Sequence, residues 1–121
     1  MSDASTILNL PPAPPQLAID PILGRAKEGL QRIYGERLSA IILYGSRARG
    51  DQRRDSDYDL IALIRNYDRE RDWKRDLHRL TDELFQMEPY EIEVNIRLMD
   101  EHALEQRTGF MFNVRKEGLR L

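Results

Sequence analysis

The sequence predicts a small α/β (α+β) domain in which helices pack on one mixed sheet. Residues 38–44 and 58–64 are short apolar runs with the length of buried strands, and residues 91–98 alternate without a break between polar and apolar side chains. Between the last two of these segments, four apolar side chains recur at helical spacing: Trp73, Leu77, Leu80 and Leu84. The resulting order is helix, strand, short helix, strand, helix, strand, helices, which is typical of helices layered on a sheet.

Length and composition favour a single soluble domain that needs no covalent cross-links. A chain of 121 residues buries roughly two-thirds of its unfolded surface. The sequence has no cysteine, which excludes a disulfide framework and a thiolate metal site. No apolar run approaches the length of a membrane span and no signal-peptide pattern opens the chain, so we expect a cytoplasmic protein that does not enter membranes.

The charge balance argues against a protein that coats nucleic acid. The formal net charge is −2, whereas non-specific binding of this kind needs a basic surface, so no direct nucleic-acid binding is expected. Arginine nevertheless outnumbers lysine by sixteen to three. The planar guanidinium suits bidentate contacts with phosphate or carboxylate, although arginines outside the motif described below fit a solvated charged surface equally well.

The N-terminal residues 1–17 differ in composition from the rest of the chain. They contain the run Pro11-Pro12-Ala13-Pro14-Pro15 and several small polar residues. Such a composition predicts a flexible or polyproline-like leader outside the core. The folded domain is therefore expected over residues 18–121.

Helix and strand are expected to alternate in the first half of the domain. A helix begins after Asp20, a good N-cap, with Pro21 as its first residue, and it ends at Tyr34 before Gly35. The two apolar runs are the first two strands. A short helix is expected from Ser46, directly after the first of them.

The second half is expected to contain one long helix, one strand and shorter helices. The amphipathic helix spans about Glu70 to Met87, with Trp73 on its core side and Pro89 closing it. The alternating segment follows as a half-buried strand. A helix over residues 101–106 and a last helical piece that stops at Gly118 complete the chain.

Asp57 and Asp59 are the first candidates for chemistry. Because side chains alternate along a strand, both carboxylates point to one face, about 7 Å apart. Two such groups repel each other unless a cation lies between them, and hard oxygen ligands suit Mg²⁺ or Mn²⁺. The alternative is a charged strand end in water.

The Gly45-Ser46 turn leaves the first strand and enters the short helix. Such a corner presents backbone N–H groups that attract an anion, and Arg47 and Arg49 stand beside it. The segment is not a P-loop, because Gly50 is followed by Asp-Gln rather than by Lys and a hydroxyl residue. It is not an EF-hand loop either, because Leu60 stands where that loop needs glycine.

A two-metal phosphoryl-transfer site needs a third carboxylate from a neighbouring element. The alternating strand offers Glu91 and Glu93 on its polar face. Glu93 is flanked by apolar residues on both sides, which places it deeper in the sheet and favours it over Glu91. The alternative is again a solvated edge strand.

This pattern resembles the nucleotidyltransferase superfamily, whose signature is Gly-Ser, a spacer and Asp-x-Asp, with a later acid on another strand. It looks most like the minimal nucleotidyltransferases (MNT proteins), which are paired with HEPN-domain partners as toxin–antitoxin systems. The likeness spans roughly residues 20–121 and is carried by Gly45–Gly50, Ser56–Leu60 and Val114–Leu121. In many relatives the third acid is an aspartate before an apolar run, whereas this chain offers two glutamates.

The resemblance implies a nucleotidyltransferase-like fold and a role for each site residue. Gly45 and Ser46 hold the β- and γ-phosphates of ATP, the substrate, while Arg47 and Arg49 assist that charge or contact the partner. The remaining implied roles belong to the carboxylates: Asp57 and Asp59 ligate Mg²⁺ (or Mn²⁺), and Glu93 joins them and helps to activate the acceptor hydroxyl.

The small size of the chain bears on the acceptor. Larger nucleotidyltransferases carry a second domain that positions the acceptor, so here another chain is expected to hold it. The resemblance implies a HEPN-domain toxin that receives AMP from ATP, within a hetero-oligomer. Two alternatives remain: an antitoxin that neutralises its partner by binding alone, and a nucleotidyltransferase for small molecules, such as antibiotics, that works as an oligomer.

Overall fold

The computed structural model describes residues 9–87 and 92–121. Its elements in chain order are α1 (Pro15–Ala18), α2 (Pro21–Tyr34), β1 (Leu38–Tyr44), α3 (Ser46–Arg49), β2 (Tyr58–Ile64), α4 (Arg69–Asp72), α5 (Arg75–Phe85), β3 (Val94–Asp100), α6 (Gly109–Glu117) and β4 (Leu119–Arg120). Single 3₁₀ turns lie at Gly35–Arg37 and Ala103–Glu105.

Within the described residues the strands form one mixed sheet in the order β3-β2-β1-β4. β1 runs antiparallel to both β2 and β4, whereas β2 and β3 are parallel. β2 is an interior strand and is fully buried from Leu60 to Ile64. Burial on both faces explains why this strand is a continuous apolar run in the sequence. The predicted fold class is confirmed.

Helices α2 and α5 cover one face of the sheet and build the larger core. Their apolar stripes meet the side chains of Leu60, Ala62 and Ile64 on β2. The two helices approach closely at Gly29, where an added Cβ would lie 2.5 Å from Leu80 Cδ1. The glycine therefore allows the helices to pack side by side on the sheet.

Helix α2 has the predicted bounds. Asp20 caps it, because the Oδ1 atom accepts hydrogen bonds from the N–H groups of Ile22 at 2.8 Å and Leu23 at 3.2 Å. Pro21 is the first residue of the helix, where a backbone N–H would have no acceptor within the helix. Gly35 follows the last residue with a φ of 57°.

Helix α6 and the 3₁₀ turn Ala103–Glu105 cover the opposite face. The buried side chains on that face are Leu10, Ile42, Ile61, Leu63, Ala103, Leu104, Met111 and Val114. Tyr44, Asp59 and Asn95, at one end of the same face, are half-buried or exposed. This end of the sheet is where the candidate site lies.

The prediction that residues 1–17 stand outside the core is wrong from Leu10 onward. Leu10 is buried against the face that α6 covers. Ala13 N–H donates to Arg120 O and Arg120 N–H donates to Pro11 O, both at 2.8 Å. Proline lacks an N–H group but keeps its carbonyl, so a Pro-rich segment can still pair along the edge of a sheet. The first eight residues lie outside the described part of the chain.

The predicted helix over 70–87 is two helices, α4 and α5, separated at Trp73 and Lys74. Trp73 is 42% exposed, so its predicted core position is wrong. Its indole N–H donates instead to Tyr67 Oη at 3.0 Å. The predicted helix stop at Pro89 lies outside the described residues.

A buried carboxylate explains the break between α4 and α5. Asp72 is 0% exposed and accepts a bidentate pair from Arg37, with Nη1 to Oδ1 at 2.7 Å and Nη2 to Oδ2 at 2.8 Å. The Asp68 N–H also donates to Oδ2 at 2.8 Å, and Tyr34 Oη donates to the Asp72 carbonyl at 2.8 Å. These bonds fix the end of α4, and the chain becomes extended at Trp73.

The C-terminal elements agree with the prediction in part. The helix expected over 101–106 is only the 3₁₀ turn Ala103–Glu105. The last helix is confirmed as α6, whose N-cap Thr108 accepts from Met111 N–H at 3.1 Å. No helix in the described part of the chain is long and apolar enough to cross a membrane.

We predict that Asp72→Asn lowers the free energy of unfolding at neutral pH by about 2–3 kcal/mol. The variant leaves a buried amide opposite the guanidinium, and Arg37 is 32% exposed, so it recovers part of its hydration. Urea denaturation of the two proteins measures the difference. Asp76→Asn is the matched control: it removes a surface carboxylate 3.6 Å from Arg79 and should cost no more than about 0.5 kcal/mol. Equal effects of the two variants would contradict the assignment.

The same pair of proteins tests the pH dependence. The Arg37 guanidinium holds the pKa of the Asp72 carboxyl well below its usual range. A lowered native pKa gives stability that is fully present above the unfolded pKa of about 4 and is lost as the pH falls through the native pKa. The difference in unfolding free energy should therefore be constant from about pH 7 to about pH 5 and shrink below about pH 4.

Candidate active site

β1 ends in a corner that fits only glycine. Gly45 has a φ of 80° and a ψ of −160°, a conformation that residues with a side chain avoid. A Cβ added at this position would lie 2.7 Å from Asp59 Oδ2. The corner therefore brings backbone directly against a carboxylate of the neighbouring strand.

Helix α3 begins at this corner. The N–H groups of Ala48 and Arg49 donate to Gly45 O, each at 3.1 Å. The N–H groups of Ser46 and Arg47 precede them in the first turn and have no acceptor within the helix itself. Groups of this kind attract an anion, so the corner presents donors beside the Asp59 carboxylate.

Three polar side chains form a row across the sheet at this end. The strand register pairs Tyr44 of β1 with Asp59 of β2, and Asp59 with Asn95 of β3. Asn95 Nδ2 donates to Asp59 Oδ1 at 3.3 Å. With about 4.8 Å between neighbouring strands, the row runs from the glycine corner to the outer strand.

Asp57 and Glu93 stand immediately before β2 and β3, and both are exposed. Tyr58 N–H donates to Glu93 O at 3.0 Å, which continues the parallel pairing beyond the first registered pair. Strand alternation puts Asp57 on the face of Asp59, and Glu93 on the face of Asn95. Extended to these two positions, the alternation predicts that the three carboxylates share one face and one end of the sheet. Glu91 lies outside the described residues.

The donor set suits a hard divalent cation. Mg²⁺ is usually bound by one or two carboxylates, with waters and substrate phosphates as the other ligands, and Asp57 and Asp59 provide such a pair. Within residues 9–87 and 92–121, no group of three His, Cys, Asp or Glu side chains is arranged to hold a metal ion. Glu93 is therefore not gathered with the aspartates into a ready-made three-carboxylate site, and the metal roles stay predictions.

Arg47 holds the loop that precedes β2. Its Nε donates to Ser56 O at 2.9 Å and its Nη2 to Arg54 O at 3.3 Å, while the guanidinium carbon lies 3.9 Å from the centre of the Tyr58 ring. Tyr58 Oη in turn donates to Asp20 Oδ2 at 2.7 Å. Burial and this bond raise the pKa of Tyr58, so Tyr58 serves to pack and anchor the loop. The implied phosphate contact of Arg47 stays a prediction.

Arg49 lies at the end of α3 and pairs with two carboxylates. Its Nε is 3.2 Å from Asp51 Oδ2, and its Nη1 is 3.2 Å from Glu117 Oε1. The pair with Glu117 ties α3 to the end of α6. These contacts use Nε and Nη1, so the Nη2 atom can still donate to an incoming anion.

A second group of side chains borders the row on the α6 side. Phe110 packs edge-on against Tyr44, with 5.4 Å between ring centres, and the Arg97 guanidinium lies 4.7 Å from the centre of the Phe110 ring. Burial, followed by the charge of Asp59, raises the pKa of Tyr44. Tyr44 thus stays a neutral phenol beside the carboxylate.

Sequence reasoning did not identify Asn95, Arg97 or Phe110 as neighbours of the site. The alternation along β3 does carry the signal for the first two, since they share a face with Glu93. Nothing in the sequence pattern indicates that Phe110, at the start of α6, reaches Tyr44. That contact depends on how α6 crosses the sheet.

Comparison with known proteins identifies the family of the chain. A profile of the family described as "Polymerase beta, Nucleotidyltransferase" matches residues 29–121, which include the glycine corner and both aspartates. The chain therefore belongs to the polymerase beta-type nucleotidyltransferase family, and its resemblance to minimal nucleotidyltransferases is confirmed. A search of curated proteins found no significant match.

The chain is similar to two solved structures. A toxin–antitoxin structure with AMP-PNP has 20% identity and a TM-score of 0.54, over 80% of this chain and 69% of that chain. A provisionally assigned nucleotidyltransferase from Sulfolobus solfataricus has 18% identity and a TM-score of 0.48, over 99% of this chain and 86% of that chain. At 20% identity, the likeness to the toxin–antitoxin structure concerns the fold alone.

We predict that Gly45→Ala lowers the free energy of unfolding by about 2–3 kcal/mol, because the methyl group meets strained backbone and a carboxylate together. Gly50→Ala is the matched control, since Gly50 also has a positive φ of 83° but nothing lies within 4 Å of an added Cβ. It should cost about 1 kcal/mol, from the backbone alone. Chemical denaturation measures both changes in unfolding free energy. Equal changes would show that the contact between position 45 and Asp59 is not tightly packed.

Proposed function

We propose that this chain is a Mg²⁺-dependent nucleotidyltransferase that transfers AMP from ATP to a hydroxyl group of a partner protein, as the antitoxin of a HEPN/MNT toxin–antitoxin pair. The observation that carries the proposal is the contact between the Gly45 corner and Asp59. This contact supports the proposal, because it sets the backbone N–H groups of the corner beside a carboxylate.

Each part of the site has a role in this reaction. The N–H groups of Ser46 and Arg47 hold the β- and γ-phosphates, and Asp57 and Asp59 hold the divalent cation. When bound, that cation neutralises charge on the phosphate oxygens and the leaving group. The acceptor oxygen attacks the α-phosphorus and the bond from that phosphorus to the bridging β-phosphate oxygen breaks. Pyrophosphate leaves, and the hydroxyl proton passes to Glu93.

A protein acceptor is supported by one of the comparisons. The similarity to a toxin–antitoxin structure with AMP-PNP supports a partner protein and an adenine nucleotide. The HEPN identity of the partner rests on the resemblance of the motifs.

Two observations favour a second candidate, an antitoxin that acts by binding alone. The side chain that meets Asp59 from β3 is an amide, Asn95, and the described residues contain no three-carboxylate group. A site with two carboxylates can retain nucleotide without supporting transfer. The two candidates differ in whether neutralisation of the partner needs the aspartates.

The test is transfer of labelled phosphate. The protein is mixed with Mg²⁺, ATP labelled at the α-phosphate and the protein encoded beside it in the genome. Label should move to that protein, and Asp57→Asn and Asp59→Asn should each reduce the rate at least about 100-fold, because charge on the transferring phosphate is no longer neutralised. Asp55→Asn, at an exposed position in the same loop, is the matched control and should retain the wild-type rate.

Other outcomes point elsewhere. Neutralisation of the partner that survives both substitutions, without any label on the partner, would establish the binding-only candidate. Label on a small hydroxylated compound in the absence of the partner would indicate a small-molecule transferase. Equal loss in Asp55→Asn would mean that the loop as a whole, rather than the two carboxylates, is being disturbed.

A further inference from the structure

We propose that the cleft between the end of α5 and the outer edge of β3 binds an extended, basic segment of the acceptor protein. This inference rests on the proposed function, since it concerns how the acceptor hydroxyl reaches the nucleotide. It adds a docking surface and a charge preference that the reaction itself does not require.

The row of Tyr44, Asp59 and Asn95 runs across the sheet, so the site has a β1 side and a β3 side. The phosphate donors lie at the β1 side, where Gly45 contacts Asp59. Asn95 lies at the opposite, β3 side of Asp59 and contacts the same carboxylate. If the nucleotide is held at the glycine corner, the β3 side of the site stays open, and the acceptor can approach from there.

A cleft lies on that side. It has a volume of about 340 Å³ and is lined by Thr81, Asp82 and Phe85 of α5 and by Glu93, Val94 and Asn95 at the start of β3. Asn95 thus belongs both to the lining of the cleft and to the row that contains Asp59. A chain seated in the cleft therefore contacts Asn95, which is hydrogen-bonded to Asp59.

Backbone and apolar contacts are both available there. β3 is an edge strand, with β2 on one side and no other described strand on the other. Edge strands offer N–H and C=O groups that can pair with an added extended segment. Phe85 is 38% exposed and supplies the kind of aromatic anchor that dominates protein interfaces.

The acidic lining of the cleft favours a basic segment as its occupant. Two of its six lining side chains, Asp82 and Glu93, are carboxylates, and none is basic. The neighbouring arginine of β3, Arg97, lies over the ring of Phe110 on the α6 side. Charge complementarity therefore favours a segment with Lys or Arg on both sides of its hydroxyl residue.

Two synthetic peptides test the docking without catalysis. One is a nine-residue peptide with a central Tyr flanked by alternating Lys and Val, and the other has Glu in place of each Lys. Both are titrated into the isotopically labelled Asp59→Asn variant without ATP, and chemical-shift changes at the amides of residues 94–98 are followed. The Lys peptide should bind at least about tenfold more tightly than the Glu peptide and should move those amides.

Two substitutions and one control locate the contact. Phe85→Ala should weaken binding of the Lys peptide about tenfold, and Asp82→Lys should remove most of the preference for the Lys peptide. Phe112→Ala is the matched control, because Phe112 is also an exposed aromatic, at 60%, but lines a different cleft. It should bind like the parent protein.

Equal affinity for the two peptides, or binding that Phe85→Ala leaves unchanged, would overturn the proposal. So would a dimer of this chain that Phe85→Ala dissociates in sedimentation, because the cleft would then be an interface between copies. If the peptides bind as predicted but the protein never transfers label, the proposed function alone is refuted. Transfer to the partner at an unchanged KM in both Phe85→Ala and Asp82→Lys would refute the docking surface alone.

Discussion

The antiparallel pairing of β1 with β2 is the interaction on which the candidate site depends. It sets Gly45 against Asp59, so that the helix corner and the carboxylate come from two strands but form one surface. A slip by one residue would turn Asp59 to the face that α2 and α5 cover. The apolar side chains on both faces of β2 resist that slip, because every one of them would change sides.

One face of the sheet carries the larger hydrophobic core, and the other carries the candidate site. Helices α2 and α5 cover one face, and the Arg37–Asp72 pair lies at the end of that layer opposite to the site. On the other face, α6 covers the middle of the sheet and leaves the row of Tyr44, Asp59 and Asn95 half-buried or exposed. Arg47 links the loop before β2 to the larger core, because it donates to the loop backbone and lies over the ring of Tyr58.

Local patterns in the sequence were sufficient where the physical cause is local. The strands 38–44 and 58–64 match to the residue because their apolar runs are bounded by charged residues or turns, and α2 matches because its cap, first proline and final glycine adjoin one another in the chain. The Gly-Ser corner and the spacing of Asp57 and Asp59 indicated the family for the same reason. Family membership and fold class could therefore be predicted without coordinates.

The predictions that were wrong failed because of contacts between residues that are distant in the sequence. Periodicity favoured one helix through Trp73, whereas a bond from Arg37 to Asp72 ends α4 there. Composition suggested a free leader, yet Leu10 fills a space that α6 and the sheet leave between them. The partner of Asp59 on β3 depends on the register of a parallel pair, which no alternation pattern fixes, so Asn95 could not be distinguished from Glu93 in advance.

The central claim is that the glycine corner and the aspartates share one nucleotide–cation site. Paramagnetic broadening by Mn²⁺ tests it most directly, with isotopically labelled protein, a non-hydrolysable ATP analogue and Mn²⁺ in trace amounts. The account predicts that the amides of residues 45–47 and 57–60 broaden together, only when the nucleotide is present, and that Asp59→Asn abolishes the effect. Broadening confined to other acidic surfaces, or unchanged in Asp59→Asn, would contradict it.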